Sequence, residues 1–339
     1  MKLLHPDWFQ WKINDRLLEK SFLDVLDNDG FITSVTLEPK QLPKDVGDLR
    51  EETESYIKEI VNNCGYKKFA VLLSGIDSEI IVRYLHKLQV DVEIYHIHFW
   101  FKPNDDLEII HKIGSELNIP VNVISFEWYK NRDSMFYIAK NTLQATTVKN
   151  TFYYAFQNIP SDCYIFTGCR NFERHSPQYL YHIAKNKHEN WNKPGRKTFI
   201  DCRQIICRYS LEHLNRNGCG VFWFNNARTT SSMLRDSRTI IEDPNRPGEI
   251  DCKLLIKELW SDHTFKHKTD PFVGGKAVYK WEKRWPDHWR NRAKSAVMIQ
   301  RRYLRMLHGE VKSVCGRVIH DKNDNAWTFG DMLNIDEIL

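Results

Sequence analysis

Five consecutive residues, Ser74-Gly75-Ile76-Asp77-Ser78, put two hydroxyls, a glycine and a carboxylate directly after the apolar run Phe69-Ala70-Val71-Leu72-Leu73. Glycine lets backbone N–H groups approach a phosphate, hydroxyls can donate to it, and a following helix adds its positive end. Asp77 repels a bare anion, so its presence suits a phosphate that arrives with Mg²⁺. The plainer reading is a strand-to-helix turn in which Asp77 or Ser78 is the N-cap. Elsewhere, His96 and His98 alternate along a strand-like run and share one face, which without a third ligand reads as packing or a polar edge. Asp105 and Asp106 fall in a first helical turn, where acidic residues commonly serve as caps. Cys202, Cys207, His213 and Cys219 follow no common zinc-ligand spacing, and reduced thiols are expected for all eight cysteines.

The elements that must position the loop can be read from periodicity. The run at 69–73 has the unbroken apolar character of a parallel strand buried on both faces. Ile80, Ile81, Tyr84, Leu85 and Leu88 then recur at helical spacing. A strand from Val92 to Trp100, a helical stripe through Leu107, Ile110, Ile113 and Leu117, and a strand Val121–Phe126 repeat the pattern. Helical material follows from Ser134 to Phe156, and Tyr164-Ile165-Phe166-Thr167-Gly168 reads as a further strand ending in a glycine turn. A parallel sheet with helices on its faces is the expected solution. Ahead of it, Phe9–Ile13, Phe22–Leu26 and Phe31–Leu37 read as strands and 46–61 as a helix. Three regions are expected: an N-terminal appendage of strands plus helix at 1–65, a nucleotide-binding core at 66–175, and a mainly helical C-terminal region at 176–339.

In this setting the loop resembles that of the PP-loop ATP pyrophosphatases, whose signature is Ser-Gly-Gly-x-Asp-Ser/Thr between a first buried strand and its helix. The chain is most similar to the synthetase domain of asparagine synthetase and to asparagine-synthetase-like PP-loop proteins of tailed phages. Further support comes from Asn104-Asp105-Asp106, from Phe166-Thr167-Gly168-Cys169-Arg170-Asn171-Phe172-Glu173, and more weakly from Ser232-Met233-Leu234 and 254–272. The resemblance implies an α/β, nucleotide α-hydrolase-like parallel sheet, ATP and Mg²⁺, and adenylation of a substrate oxygen with loss of pyrophosphate. On that basis Ser74, Gly75, Ile76, Asp77 and Ser78 bind ATP and Asp77 holds the metal. Cations must stabilise the departing pyrophosphate, and Arg170, Lys266 and Lys268 are the candidates; a solvated surface charge is the alternative for each lysine. Two departures stand out. The loop is one residue shorter than the family signature, and a displacement of about 1 Å in such a site costs about 100-fold in rate. Glu79 adds a negative charge next to the loop.

The 49 basic and 44 acidic residues leave a net charge of +5, which does not by itself mark a nucleic-acid binder. Positive charge is concentrated at 276–305, where Lys283, Arg284, Arg290, Arg301, Arg302 and Arg305 interleave with Trp281, Trp285 and Trp289. That stretch suits phosphate contact with base stacking, or an amphipathic helix with Ala293, Val297, Leu304 and Leu307 turned inward. No run reaches the roughly 18 apolar residues that a bilayer requires, so a cytoplasmic protein is expected, in the host cytoplasm if phage-encoded. Three functions follow as expectations: an ATP-dependent ligase-type adenylating enzyme, a catalytically degenerate PP-loop fold used as a binding or structural module, or an ATP-dependent nucleic-acid-modifying enzyme.

Overall fold

Phe69, Ala70, Val71 and Leu72 are all buried, as a strand covered on both faces requires. Around it, in chain order, lie β1 (Phe9–Ile13), β2 (Arg16–Leu17), β3 (Val35–Pro39), α1 (Leu49–Asn63), β4 (Lys68–Leu72), α2 (Ile76–Lys87), β5 (Asp91–Phe99), α3 (Asp105–Leu117), β6 (Val121–Phe126), β7 (Cys163–Thr167), β8 (Phe199–Ile200), β9 (Cys219–Val221), α4 (Ala227–Thr239) and β10 (Leu333–Asn334). The computed structural model describes residues 9–13, 16–17, 35–99, 105–127, 154–168, 199–200, 219–221, 226–239, 256, 258–266 and 333–334. The expected strand at 22–26 lies outside them, as does most of the expected helical stretch at 134–156, whose described end is helical at 154–157.

The central sheet has five strands in the order β6-β5-β4-β7-β9, and every pairing is parallel. This is the α/β parallel architecture expected from the sequence, with the first strand at its centre and the order reversing beside it. Strand alternation divides the interior into two layers. Phe69, Val71 and Leu73 turn toward a core that includes Ile80 and Leu85 of α2 and Ile110 and Ile113 of α3. Ala70, Leu72, Tyr95, Ile97 and Ile165 turn the other way, against Ala155, Phe156 and Ile159 of the connection that leads into β7. A smaller antiparallel sheet, β2-β1-β3, and a short β8–β10 pair complete the described strands.

Local chemistry sets the helix ends. Asp48 accepts the Glu51 N–H at 2.8 Å while the Glu51 carboxylate accepts the Asp48 N–H at 3.2 Å, a reciprocal cap on α1. α1, α2 and α3 are each followed closely by a residue of positive φ, Gly65 at 78°, Gln89 at 56° and Asn118 at 53°, which turns the chain out of the helix.

One hydrophobic core spans the divisions expected at 65 and 175. Leu49, Tyr56, Ile57 and Ile60 of α1, Met233 of α4, and Ile256 and Trp260 all belong to the cluster under β4 and α2. Polar bonds also hold α4 to α1 and to the segment that precedes it. Ser231 donates to the Pro43 carbonyl, Ser232 donates to that of Gly47 at 2.6 Å, and Asp236 accepts the Leu49 N–H at 2.8 Å. Arg228 grips Glu52 through two bonds of 2.9 and 2.6 Å. Among the described residues no helix is long and apolar enough to cross a membrane.

Glu52 provides a test of this seam. Burial pushes its carboxyl up, but Arg228 and the Gly47 N–H, 2.8 Å away, outweigh burial and hold it below its ordinary value of 4.5. A depressed carboxyl contributes stability that is present above its unfolded value and lost as pH falls through the folded one. Glu52→Gln should cost about 2 kcal/mol at neutral pH, less than a fully buried pair because Arg228 is half-exposed and can hydrate. Urea titrations from pH 7 to pH 3 should show a shallower loss of stability below pH 4.5 in the variant than in the native chain.

Candidate functional site

Where β4 is flanked by β5 on one side and β7 on the other, the chain leaves the two central strands in opposite directions. Such a point opens a crevice beyond the carboxyl ends of the strands, and ligands of open parallel sheets bind there. Leu72 and Thr167 are register partners, so the loop after β4 and Gly168 after β7 emerge side by side. The signature-like loop therefore sits at the topological switch point.

Within the loop the five expected residues take different positions. Ser74 is exposed, Gly75 and Asp77 are half-buried, and Ile76 and Ser78 are buried. The Ile76 side chain joins the hydrophobic core, which leaves its backbone as the part that can meet a ligand. Gly75 is the N-cap of α2, so the expected capping by Asp77 or Ser78 is not what the chain adopts. Ser78 instead lies in the first turn, where its Oγ accepts the N–H of Ser74 at 3.0 Å and of Gly75 at 3.2 Å and donates to the Gly75 carbonyl at 3.0 Å. One proton and two lone pairs are thus committed inside the loop. Ser78 braces the turn, and Ser74 carries the loop's exposed hydroxyl.

The two glycines of the crevice have contrasting surroundings. A Cβ at Gly168 would stand 2.5 Å from the Ser78 nitrogen, 2.8 Å from its Cα and 2.9 Å from the Asp77 carbonyl carbon. Only glycine lets the end of β7 lie so close to the backbone of α2. Gly75 has an extended backbone, φ −175° and ψ −174°, that any residue adopts, and a Cβ there would meet nothing within 4 Å. Neither conformation nor packing requires glycine at 75. The cradle it leaves open lies at the N-terminus of α2, whose first N–H groups have no carbonyl one turn back to bond.

The charged residues near this turn form a network of their own. Glu79, expected to add negative charge at the loop, is fully buried and is held by Arg83 at 2.9 and 3.1 Å and by the Lys266 N–H at 3.0 Å. Arg83 also donates to Glu116 at 2.9 Å and to the Thr264 carbonyl at 3.3 Å. The Lys266 ammonium pairs with Glu116 at 3.0 Å. The Arg83 guanidinium holds the Glu116 carboxyl below its ordinary range, with Lys266 adding to the effect. The charge of Glu79 is therefore neutralised locally, and the 264–266 segment is tied to the first turns of α2. Arg170, Lys268, Cys202, Cys207, His213 and the basic stretch at 276–305 lie outside the described residues. Asp105 and Asp106 open α3, with Asp106 exposed.

Sequence reasoning missed three participants here. The sequence places Gly168 in a glycine turn and in the stretch that resembles the family's later glycine loop, but gives no sign of its close approach to the backbone of α2. The Thr167 hydroxyl is buried and makes no hydrogen bond among the described residues. His96, expected as packing or edge, is buried and bonds the Leu73 carbonyl through Nδ1 at 2.9 Å, while its partner on that face, His98, is half-buried.

The residues present fit a nucleotide that brings its own magnesium. Among the described residues no group of three or more histidine, cysteine and carboxylate side chains could hold a metal alone. Magnesium, however, is commonly held by one or two carboxylates together with phosphate oxygens and water. Asp77, in the first turn of α2 beside the open cradle, supplies one such carboxylate.

No family model matches this chain, and no curated protein does. Among solved structures it is similar to an NH3-dependent NAD synthetase from Campylobacter jejuni in complex with nitrate, at 16% identity and a TM-score of 0.27, over 36% of this chain and 56% of that one. It is also similar to NMN synthetase from Francisella tularensis, at 12% identity and a TM-score of 0.29, over 72% of this chain and 92% of that one. The chain thus spans little more than half the length of the NAD synthetase it matches.

Proposed function

We propose that the chain binds ATP with Mg²⁺ at Ser74–Ser78 and adenylates a substrate oxygen, releasing pyrophosphate, in a reaction of amidation or ligation type. The observation that carries this reading is Gly75: it is required by neither the backbone nor the packing, and it stands at the positive end of a helix on the switch point. In the reaction a substrate oxygen bonds to the α-phosphorus as the bond to the β-phosphate oxygen breaks, so charge grows on the departing pyrophosphate. The first turn of α2 is oriented to receive that charge, and the exposed Ser74 hydroxyl can donate to it. Asp77 would hold the magnesium, which neutralises phosphate charge when bound. Arg170, Lys266 and Lys268 are the proposed cations, and Lys266 would act by exchanging its Glu116 partner for a phosphate oxygen.

A second reading, a module that binds nucleotide without turning it over, is favoured by the loop's own bonding. With Ser78 committed to the turn and the loop one residue shorter than the family signature, the cradle has fewer donors to offer a transition state.

Three outcomes test these readings. Millimolar MgATP should raise the thermal midpoint, as any ligand of the native state must, and Asp77→Asn should remove the magnesium-dependent part; no shift in differential scanning fluorimetry would exclude a nucleotide site. Release of AMP and pyrophosphate by the native protein, abolished in Asp77→Ala, separates the enzyme from the binding module. The glycines should part company. Gly75→Ala should leave the urea midpoint nearly unchanged, within about 0.5 kcal/mol, yet weaken MgATP about tenfold or more in calorimetry. Gly168→Ala should cost about 1–3 kcal/mol, because its methyl meets backbone that cannot swing aside.

A further inference from the structure

The peptide that joins Leu73 to Ser74 is the first of the loop, and it is held at both ends. Its carbonyl receives a hydrogen bond from His96 Nδ1 at 2.9 Å, and its N–H donates to Ser78 Oγ at 3.0 Å. The preceding N–H, that of Leu73, donates to the Tyr95 carbonyl at 2.8 Å and so carries the β4–β5 pairing one residue past the strand. A carbonyl oxygen has no proton to give, so the bond to Leu73 requires the proton on Nδ1 of His96. The imidazole is buried, 5% exposed, on the face of β5 that meets α2. Turning the 73–74 peptide over would break both bonds and put the carbonyl oxygen where the N–H now meets Ser78 Oγ, at the start of the loop.

We propose that His96 is a positioning residue for the loop: from β5 its Nδ1–H fixes the Leu73 carbonyl away from the crevice, and with Ser78 it locks the 73–74 peptide before any ligand arrives. His96 touches no phosphate in this role. It acts through the backbone, and it compensates for the short loop by preorganisation, since a peptide that cannot flip loses less entropy on binding. The functional consequence rests on the nucleotide reading above, whereas the lock itself does not.

The whole 339-residue chain without ligand provides the first test. Nitrogen-15 spectra of the imidazole should show the His96 proton on Nδ1, and an unprotonated Nδ1 would overturn the proposal, because no bond to Leu73 could then exist. Amide exchange at Ser74 provides the second. His96→Leu removes the donor while keeping bulk, and should speed exchange at Ser74 by about tenfold. His96→Asn places an amide N–H near the position of Nδ1 and should hold exchange within about threefold of native. Equal protection of Ser74 in the native and leucine proteins would overturn the lock, as would loss of protection in the asparagine variant. If the leucine variant does not fold, the tautomer and the asparagine variant still decide. MgATP provides the third readout: affinity should fall about tenfold in His96→Leu and recover in His96→Asn. A native protein that binds no MgATP would defeat the proposed function and leave the tautomer and exchange results to judge the lock alone.

Discussion

The approach of Gly168 to the first turn of α2 is the contact on which the rest of this structure depends. It brings the carboxyl end of β7 against the backbone of Asp77 and Ser78, at a distance no other residue would allow. With β7 in that place, β4 has a parallel neighbour on each side and the sheet order reverses beside it. The crevice, the exposed position of Ser74 and the open space over Gly75 all follow from that reversal. A methyl group at 168 would separate strand from helix and widen the crevice into which the loop is aimed.

Around this contact the structure spends its polar groups on holding the loop still. Ser78 closes the turn from below, His96 holds its first peptide from the side, and Leu73 extends the strand pairing into it. At the next residue of α2, Glu79 is bonded to Arg83 and the Lys266 backbone N–H. A buried carboxylate of this kind is tolerated because a guanidinium pairs with it and its Oε1 accepts three hydrogen bonds. The result is a short loop stiffened by its neighbours, in place of a longer one that supplies more N–H groups itself. The same network ties residues 264–266 to the helix that carries the loop.

Among the described residues, one hydrophobic core takes in elements from well outside 66–175. α1 enters the hydrophobic cluster through Leu49, Ile57 and Ile60, and α4 enters it through Met233. Trp260, fully buried and lying beneath Arg50, fills the same layer. Arg50 in turn holds Asp262 through bonds of 2.6 and 2.8 Å, and pulls that carboxyl down to about 2. Residues more than two hundred positions apart therefore share one core, which no local signal along the chain announces.

What the sequence determined by itself was everything that depends on neighbours along the chain. The buried strand at 69–72, the amphipathic stripes of α2 and α3, the β6 boundaries at Val121–Phe126 and the glycine after β7 are written in periodicity and turn chemistry. The tight turn between β4 and α2 was legible for the same reason. Tertiary structure alone decided which groups face the crevice. Ser78 turns inward because two backbone N–H groups need an acceptor, and Glu79 turns away because Arg83 and the Lys266 N–H offer it partners. The fifth strand, β9, was not anticipated, since three residues gain strand geometry only by pairing with β7. His96 passed as a packing residue because its partner, the Leu73 carbonyl, lies on a different strand, and a hydrogen bond between strands leaves no mark on spacing. The difference between the glycines was equally hidden: one is required by backbone 2.5 Å away and the other by nothing in the protein, and only the folded chain separates them.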